Sequence, residues 1–222
     1  MRLRIAKGTG GEFVEHEIEV GPTATVLDAL EEIRGSRDKD LLYRHSCHHG
    51  SCGTCGALVN GAPRLMCIVR LAELGDGPIL LEPLRRMARI GDLAVSPAPL
   101  FSAMPDAGYL CASEVAHRAP AEHPLLRLEN CIECAICVSA CPVERPFSGP
   151  AALAAADRDR EERPDREEAA LAFAARPEGV AACERRFECS RVCPQSVYPG
   201  RHIENLRKSL AARGASMGAT KS

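Results

Sequence analysis

Alternating polar and apolar residues predict two β-strands at the start of the chain. Residues 2–7 form the first, and residues 13–20 alternate for much of their length. The segment between them contains Gly8, Gly10 and Gly11, and short glycine-rich connections are typical of β-hairpins. We therefore expect an N-terminal hairpin.

The hydrophobic period then changes to that of an α-helix. Apolar side chains fall on one helical face, at Val26, Leu27, Leu30 and Ile33. Thr25 stands at the N-cap position and Asp28 follows three residues later, which predicts a capping box. A loop rich in Cys, His and Gly covers residues 44–56, and strand-like runs follow it at 57–60, 65–71 and 79–82. Together these elements predict a compact α+β domain that ends near Pro83.

A segment rich in Pro and Gly, residues 96–108, predicts a linker. Beyond it the pattern becomes helical, because Pro150 suits the first turn of a helix and an Ala-rich run follows it. Charges of both signs alternate over residues 157–168, which we interpret as a solvated helix end and loop. Residues 200–212 predict a last helix. The expected domains are residues 1–100 and 106–222.

Composition limits the kind of protein this can be. With 222 residues, 4% aromatic residues and no Trp, the chain can build only a thin core, and its twelve Cys could add stability as disulfides or as metal ligands. Closely spaced Cys in a chain without an export signal favour metal ligands. No apolar run approaches the roughly 18 residues of a membrane span, so we expect a soluble, cytoplasmic protein. The net charge of −2, without a basic stripe, argues against nucleic acid as a partner.

Four Cys have the spacing of a loop-bound [2Fe–2S] centre: Cys47, Cys52, Cys55 and Cys67. Such a cluster needs four converging thiolates and a backbone that passes close to its sulfur atoms. Gly50, Gly53 and Gly56 would permit that approach because they carry no Cβ. Cys67 lies in an apolar run that we expect to form a strand beside the loop.

Two other metal centres use related residues. Zinc sites also contain C-x-x-C pairs, but they usually have two short pairs and a longer spacer, whereas here three Cys crowd into one loop. In a Rieske centre two His replace two Cys, and the loop contains His45, His48 and His49. Because four Cys are already present, we interpret these His as solvated loop residues that modulate the potential of the cluster.

The C-terminal half contains the bacterial ferredoxin pattern, a run of four Cys ending in Cys-Pro whose fourth Cys binds a second cluster. The run comprises Cys131, Cys134, Cys137 and Cys141. A second copy comprises Cys183, Cys189 and Cys193, and aligned on its Cys-Pro end it has Arg186 where a ligand is expected. Cys111 belongs to neither copy and is expected to be a partly buried, inert thiol.

Cross-ligation between the two copies predicts two centres. The first is a [4Fe–4S] cluster bound by Cys131, Cys134, Cys137 and Cys193. The second has only three ligands, Cys141, Cys183 and Cys189. Because Arg186 is always protonated and cannot bind iron, a [3Fe–4S] cluster fits the second set. A [4Fe–4S] cluster with one exogenous ligand, as in aconitase, is the alternative.

These motifs together resemble the iron–sulfur subunits of succinate dehydrogenases and fumarate reductases. The resemblance covers nearly the whole chain. Besides the Cys it includes Leu-Glu-Pro-Leu at 81–84, Ile-Gly-Asp-Leu at 90–93 and Phe-Ser-Gly-Pro-Ala-Ala-Leu at 147–153. The segment 189–199, Cys-Ser-Arg-Val-Cys-Pro-Gln-Ser-Val-Tyr-Pro, is closer to the fumarate reductases.

The resemblance implies a fold, cofactors and partners. The fold is α+β, with an N-terminal β-grasp [2Fe–2S] ferredoxin domain followed by an all-helical ferredoxin-like domain. The [2Fe–2S] centre would face the FAD of a flavoprotein subunit that handles succinate and fumarate. The [3Fe–4S] centre would face quinone beside membrane-anchor subunits, with cytochrome b as a candidate. The chain would have no catalytic residues of its own and would lie peripherally on the inner face of the cell membrane through its partners.

Departures from the family pattern bear on the quinone. Ubiquinone-using succinate dehydrogenases have a Trp shortly after the first Cys-Pro, where this chain has Pro-Val-Glu-Arg-Pro at 142–146. The resemblance therefore favours menaquinone. Glu184 replaces a typical His, and we expect Arg207 and Lys208, which could contact quinone, to be solvated surface residues. The alternative function is an iron–sulfur subunit of a soluble flavoprotein complex that passes electrons to a thiol, another carrier or a different acid.

Overall fold

Two compact units make up the computed structural model, which describes residues 1–105 and 131–219. The first unit contains Met1–Pro99 together with the segment Ile132–Ala140, and the second contains the other described residues. The domain limits expected from the sequence stay a prediction. Cys111 lies outside the described residues.

The first unit is built on a five-stranded mixed sheet. Its strands are β1 Arg2–Lys7, β2 Glu12–Glu17, β3 Gly56–Val59, β4 Ala62–Leu65 and β5 Ile79–Glu82. Their order is β2-β1-β5-β3-β4, with β1 and β5 parallel and the other neighbours antiparallel. A separate hairpin joins β6 Ala88–Gly91 and β7 Ala94–Ser96. The predicted N-terminal hairpin is present, although its second strand ends three residues earlier than expected.

Helix α1, Val26–Ser36, begins with the predicted capping box. The Asp28 amide donates to Thr25 Oγ1 at 3.2 Å, and the Thr25 amide donates to Asp28 Oδ2 at 2.8 Å. The predicted apolar face is at most 1% exposed at Val26, Leu27, Leu30 and Ile33. Burying one such Val, Leu or Ile side chain contributes about 1.5–3 kcal/mol, and a cap contributes typically about 1 kcal/mol. The buried face therefore holds the helix in place, and the cap defines where it starts.

The segment 65–71, predicted as a strand, is mostly turn. β4 ends at Leu65, and two 3₁₀ turns follow at Met66–Ile68 and Leu71–Glu73. The Val26 amide donates to the Val69 carbonyl at 2.9 Å, and the Leu71 amide donates to the Ala24 carbonyl at 3.0 Å. Because this backbone pairs with the start of α1, it does not continue as a strand. Cys67 is therefore held on a buried turn.

A buried carboxylate anchors the β6–β7 hairpin. Asp92 is 4% exposed and accepts hydrogen bonds from the amides of Gly8 and Leu42, each at 2.7 Å. Lys7 Nζ lies 3.3 Å from Asp92 and 2.6 Å from Asp38. Burial acts to lower the pKa of Lys7, but the hydrogen bonds and charges of the two aspartates raise it above its ordinary value. These donors satisfy a carboxylate that would otherwise be costly to bury.

Helices dominate the rest of the described chain. They are α2 Ala98–Ala103, α3 Ile136–Ser139, α4 Pro150–Glu162, α5 Glu167–Ala175, α6 Glu188–Arg191 and α7 Pro199–Ala219. Short 3₁₀ turns lie at Pro164–Arg166 and Val180–Ala182. α2 interrupts the predicted linker, whereas α4 and α7 match the predicted helices. The core of the second unit is formed by Ala152, Leu153, Ala156, Leu171, Phe173, Ile203 and Leu206.

The charged run at 157–168 is solvated only in part, because its first three residues are buried whereas residues 160–168 are exposed or half-buried. Asp157 is fully buried at 0% exposure and Asp159 at 2%. Asp157 accepts hydrogen bonds from Arg160, His202 and Asn205, at 2.8–3.2 Å. Burial acts to raise the pKa of Asp157, but these donors hold it below its ordinary value. The alanines of α4 allow close packing against α7, whose His202 and Asn205 bond to Asp157, whereas Asp159 pairs with Arg163 and Arg166.

The predicted α+β fold class is confirmed, with a β-grasp ferredoxin domain followed by a helical region. In the ranges 1–105 and 131–219, the structure contains no helix that is both long enough and apolar enough to cross a bilayer.

Candidate iron–sulfur centres

The loop between α1 and β3 directs backbone amides at a cysteine sulfur. The amides of Ser51 and Cys52 each lie 3.3 Å from Cys47 Sγ. Hydrogen bonding lowers the pKa of Cys47 to about 5, with the His49 amide as the largest cause and the Ser51 hydroxyl as the next. The thiolate, which is the form that binds metal, is therefore stabilised before any metal arrives.

Two further cysteines of this set meet below the loop. Cys55 is 3% exposed and Cys67 is 5% exposed, and their side chains are close enough to hydrogen bond. The pKa of Cys55 is raised to about 12, chiefly by burial, and the charges of Cys67 and Cys52 act in the same direction. A buried thiol such as Cys55, which resists ionisation on its own, fits a metal site, because a thiol that coordinates a metal ion is deprotonated outright. The structure thus places Cys52 beside Cys47, and Cys67 beside Cys55. These four cysteines suit a cluster of two irons.

Glycines of the loop contact a neighbouring segment of the same unit. Gly53 has φ +74°, and a Cβ there would lie 2.4 Å from the Ile132 carbonyl oxygen and 3.0 Å from Cys134 Cβ. A Cβ on Gly56 would lie 2.9 Å from Leu84 Cδ1 and 3.2 Å from the Cys134 carbonyl oxygen. The structure therefore gives Gly53 and Gly56 a role that the sequence did not suggest: they let the segment around Cys134 approach the loop.

The three histidines of the loop have defined partners. His45 Nδ1 lies 3.1 Å from His48 Nε2, and both face Glu31. His49 hydrogen bonds to the Cys47 carbonyl oxygen and, at 2.8 Å, to Ser51 Oγ. The contacts add defined partners to histidines that stay exposed or half-buried, and a role in modulating the potential of the cluster stays a prediction. Glu31, a helix residue, could not have been linked to them from the sequence.

The predicted [4Fe–4S] ligands are divided between the units. Cys134 and Cys137 belong to the first, and Cys131 and Cys193 to the second. The Val197 amide donates to Cys193 Sγ at 3.4 Å, which is the type of amide–sulfur contact found around clusters. The assignment of these four residues to one cluster stays a prediction.

Three sulfurs come together within the second unit. Cys141, Cys183 and Cys189 line one pocket, together with Arg186. The pKa of Cys189 is raised to about 11, chiefly by burial, and the charges of Cys141 and Cys183 act in the same direction. The Arg185 amide lies 3.5 Å from Cys183 Sγ. This donor set fits a cluster with three protein ligands.

A partly buried arginine holds the loop of this pocket in place. Arg207 donates to the Cys183 carbonyl oxygen at 2.8 Å and also to the Val180 carbonyl oxygen. The expectation that Arg207 is a solvated surface residue is therefore wrong. Its partners lie more than twenty residues away in the sequence, so local patterns carried no signal for this role.

The backbone repeats in the register of the two cysteine copies. Left-handed residues flank position 134 in the first copy, Glu133 (φ 54°) and Ala135 (φ 59°). They flank position 186 in the second copy in the same way, Arg185 (φ 59°) and Phe187 (φ 60°). α3 and α6 each begin directly after the second left-handed residue. Arg186 thus occupies the place of Cys134, with a side chain 68% exposed and 3.8 Å from Glu184.

Comparisons with known proteins agree with these features. Residues 2–102 match the family described as 2Fe-2S iron-sulfur cluster binding domain, and residues 127–197 match the 4Fe-4S dicluster domain. The fumarate reductase iron-sulfur subunit of Mycobacterium tuberculosis is 33% identical, over 90% of this chain and 86% of that protein. A chain of the fumarate reductase (CoM/CoB) of Methanothermobacter marburgensis is 31% identical, over 86% of this chain and 39% of that protein.

A solved structure extends the likeness to the whole fold. A chain of the Mycobacterium smegmatis Sdh1 complex in the apo form superposes with a TM-score of 0.78 at 26% identity, over 96% of this chain and 95% of that chain. The coverage is nearly complete on both sides, so the likeness extends over both units of this chain. The chain therefore belongs to the family of fumarate reductase and succinate dehydrogenase iron–sulfur subunits, which are components of oxidoreductase complexes.

Proposed function

We propose that this chain relays single electrons between the FAD of a succinate/fumarate flavoprotein subunit and a quinone at a membrane anchor. The relay would use a [2Fe–2S], a [4Fe–4S] and a [3Fe–4S] cluster. The observation that carries the proposal is the pair of sulfur sets, a four-cysteine set in the β-grasp unit and a three-cysteine pocket with Arg186 in the missing position. Clusters of this kind exchange one electron at a time, which suits a link between two-electron reactants.

In the first centre the ligands would be Cys47, Cys52, Cys55 and Cys67. The amides of Ser51 and Cys52 point at Cys47 Sγ and would stabilise the extra negative charge of a reduced cluster. Burial of Cys55 and Cys67 would exclude water from the opposite side of the site. The chain would thereby hold the cluster, and its amide donors would make reduction of the cluster more favourable.

In the third centre the ligands would be Cys141, Cys183 and Cys189. Arg186 lines the same pocket but has no lone pair to offer iron, which supports a cluster of three irons. Arg207 would keep the Cys183 carbonyl in place and so hold that ligand's backbone. Cys131, Cys134, Cys137 and Cys193 would bind the [4Fe–4S] cluster between these two centres in the relay.

The partners follow from the family. The flavoprotein would face the [2Fe–2S] centre, and anchor subunits, with cytochrome b as a candidate, would hold the chain on the inner face of the membrane. Menaquinone is favoured over ubiquinone because the chain has no Trp to serve the ubiquinone site.

A second function stays open because of one comparison. The similarity to a chain of a fumarate reductase named for CoM and CoB supports an iron–sulfur subunit that exchanges electrons with thiols. In that case the complex would be soluble, and the same three clusters would serve a different electron partner.

Purification of the tagged chain from its native cells under anaerobic conditions separates these functions. The expected result is co-purification, from the membrane fraction, of an FAD-containing subunit and one or two hydrophobic polypeptides identified by mass spectrometry. Recovery from the soluble fraction with a flavoprotein and no hydrophobic polypeptide would reject the quinone step. Electron paramagnetic resonance of the same sample tests the clusters independently, because each of the three has its own signal.

A further inference from the structure

Three donor atoms form a compact triangle beside the [2Fe–2S] loop. His45 Nδ1 lies 3.1 Å from His48 Nε2. Glu31 Oε1 lies 3.5 Å from the first of these nitrogens and 3.4 Å from the second. The side chains are 30–42% exposed, so ions from solvent can reach them. Glu31 comes from α1, and both histidines come from the cysteine loop.

All three atoms of the triangle are of types that bind metal ions. An unprotonated imidazole nitrogen and a carboxylate oxygen each offer a lone pair. The three atoms lie within 3.1–3.5 Å of one another. A cation placed against the triangle would accept a lone pair from each of them.

The dimensions of the triangle fit a tetrahedral metal ion. Ligands bound to zinc at about 2.0–2.1 Å with tetrahedral angles lie roughly 3.3 Å apart. The observed edges of 3.1, 3.4 and 3.5 Å bracket that value. Two imidazole nitrogens and one carboxylate oxygen also form a donor set known from zinc sites with an open fourth position. We propose that Glu31, His45 and His48 bind a divalent metal ion of the zinc type, with water as the fourth ligand.

A second group of similar composition differs because a neighbouring arginine already supplies positive charge to its carboxylates. Asp157, Glu161 and His202 also bring three donor atoms together. There the Arg160 guanidinium lies 2.8 Å from Asp157 Oδ1 and 3.7 Å from Glu161 Oε1, and so supplies the positive charge. The Asp157 group therefore carries no metal proposal.

The proposed ion would lie close to the predicted [2Fe–2S] ligands and would therefore affect electron transfer. His48 follows Cys47, a predicted cluster ligand, directly in the chain. A divalent cation there would stabilise the more negative, reduced form of a [2Fe–2S] cluster by Coulomb attraction. Occupancy of the site is thus expected to raise the reduction potential of that cluster and to make electron entry sensitive to divalent metal.

Calorimetric titration of the full, cluster-loaded chain with zinc chloride tests the site. The expected result is saturable binding of zinc with no loss of iron. Zinc K-edge absorption of the complex should give nitrogen and oxygen neighbours at about 2.0–2.2 Å. Sulfur neighbours at about 2.3 Å would mean that zinc displaces iron from cysteines, and would overturn the proposal. Absence of saturable binding would overturn it as well.

Substitutions assign the ligands. Glu31→Gln and His48→Asn should each weaken zinc binding by at least about tenfold, since even the loss of an outer-shell partner typically costs that much. Asn is chosen because residue 48 has φ 61°, which Asn tolerates. His49→Asn is the matched control, because His49 bonds to the Cys47 carbonyl oxygen and Ser51 instead, and it should leave affinity unchanged.

A redox titration gives the second readout. Zinc should raise the [2Fe–2S] potential of the wild type and leave that of Glu31→Gln unchanged. Equal zinc affinity in the wild type, Glu31→Gln and His48→Asn would overturn the site. A failure of the relay proposed above would instead appear as missing cluster signals before any zinc is added, so the two results are distinguishable.

Discussion

Replacement of Gly53 by Ala tests how closely the [2Fe–2S] loop packs on the segment around Cys134. Gly53 has φ +74°, and the new Cβ would lie 2.4 Å from the Ile132 carbonyl oxygen and 3.0 Å from Cys134 Cβ. An Ala in the left-handed region costs about 1–2 kcal/mol. Forced movement in a packed interior costs a further ~1–3 kcal/mol. The variant should therefore lose on the order of 2–5 kcal/mol, a large share of the ~5–15 kcal/mol that stabilises a typical protein.

Gly61→Ala is the matched control for this variant. Gly61 has φ +78°, almost the same conformation, but a Cβ there would meet nothing within 4 Å. The control should therefore carry only the conformational cost, about 1–2 kcal/mol. The difference between the two variants isolates the steric contribution at Gly53.

Thermal unfolding of the cluster-loaded proteins under anaerobic conditions, followed by circular dichroism, measures the difference. Each kcal/mol corresponds to roughly 2–4 °C for a protein of this size. Gly53→Ala should melt below Gly61→Ala and lose its visible cluster absorption faster. Equal melting temperatures for the two variants would refute the inference that Gly53 is required by its neighbours as well as by its φ.

Three further predictions follow from individual charged residues. Arg186→Cys should complete the third ligand set and abolish the paramagnetic signal of an oxidised [3Fe–4S] cluster. The control Arg191→Cys should leave that signal in place. A signal that persists in Arg186→Cys would contradict the alignment that sets position 186 of the second cysteine copy against Cys134. Arg207→Met should destabilise the protein by about 1–3 kcal/mol, because it leaves two partly buried carbonyls without their donor, and should speed loss of the third cluster. Lys208→Met should do neither, and equal stability of the two variants contradicts the role given to Arg207. Because the two aspartate partners of Lys7 outweigh burial and raise its pKa above 10.5, its stabilisation is complete below pH 10.5 and is lost as the pH rises through the folded pKa. Melting temperature should therefore fall more steeply above pH 10.5 in the wild type than in Lys7→Gln, and parallel curves count against this ion pair.

Several features were predictable from the sequence because their causes are local. The hairpin of β1 and β2, the apolar face of α1 and its Thr25–Asp28 cap depend on residues a few positions apart. The spacing of cysteines in each loop is also local, since the ligands of a small cluster must come from a tightly folded stretch of chain. The register that sets Arg186 against Cys134 could be read from the Cys-Pro ends, and the left-handed residues on either side follow the same register.

Other features depend on residues distant in the chain, and only the tertiary structure decided them. Cys67 sits on a turn because its neighbours bond to the start of α1, more than forty residues earlier. Asp157 is buried because His202 and Asn205 of α7 satisfy it, and Gly53 is constrained by Ile132. Glu31 meets His45 and His48 only once α1 and the cysteine loop are folded together. The hydrophobic period and the ligand spacing show which side chains a segment presents. Long-range packing decides which distant residue pairs with a buried charge or lies against a crowded backbone.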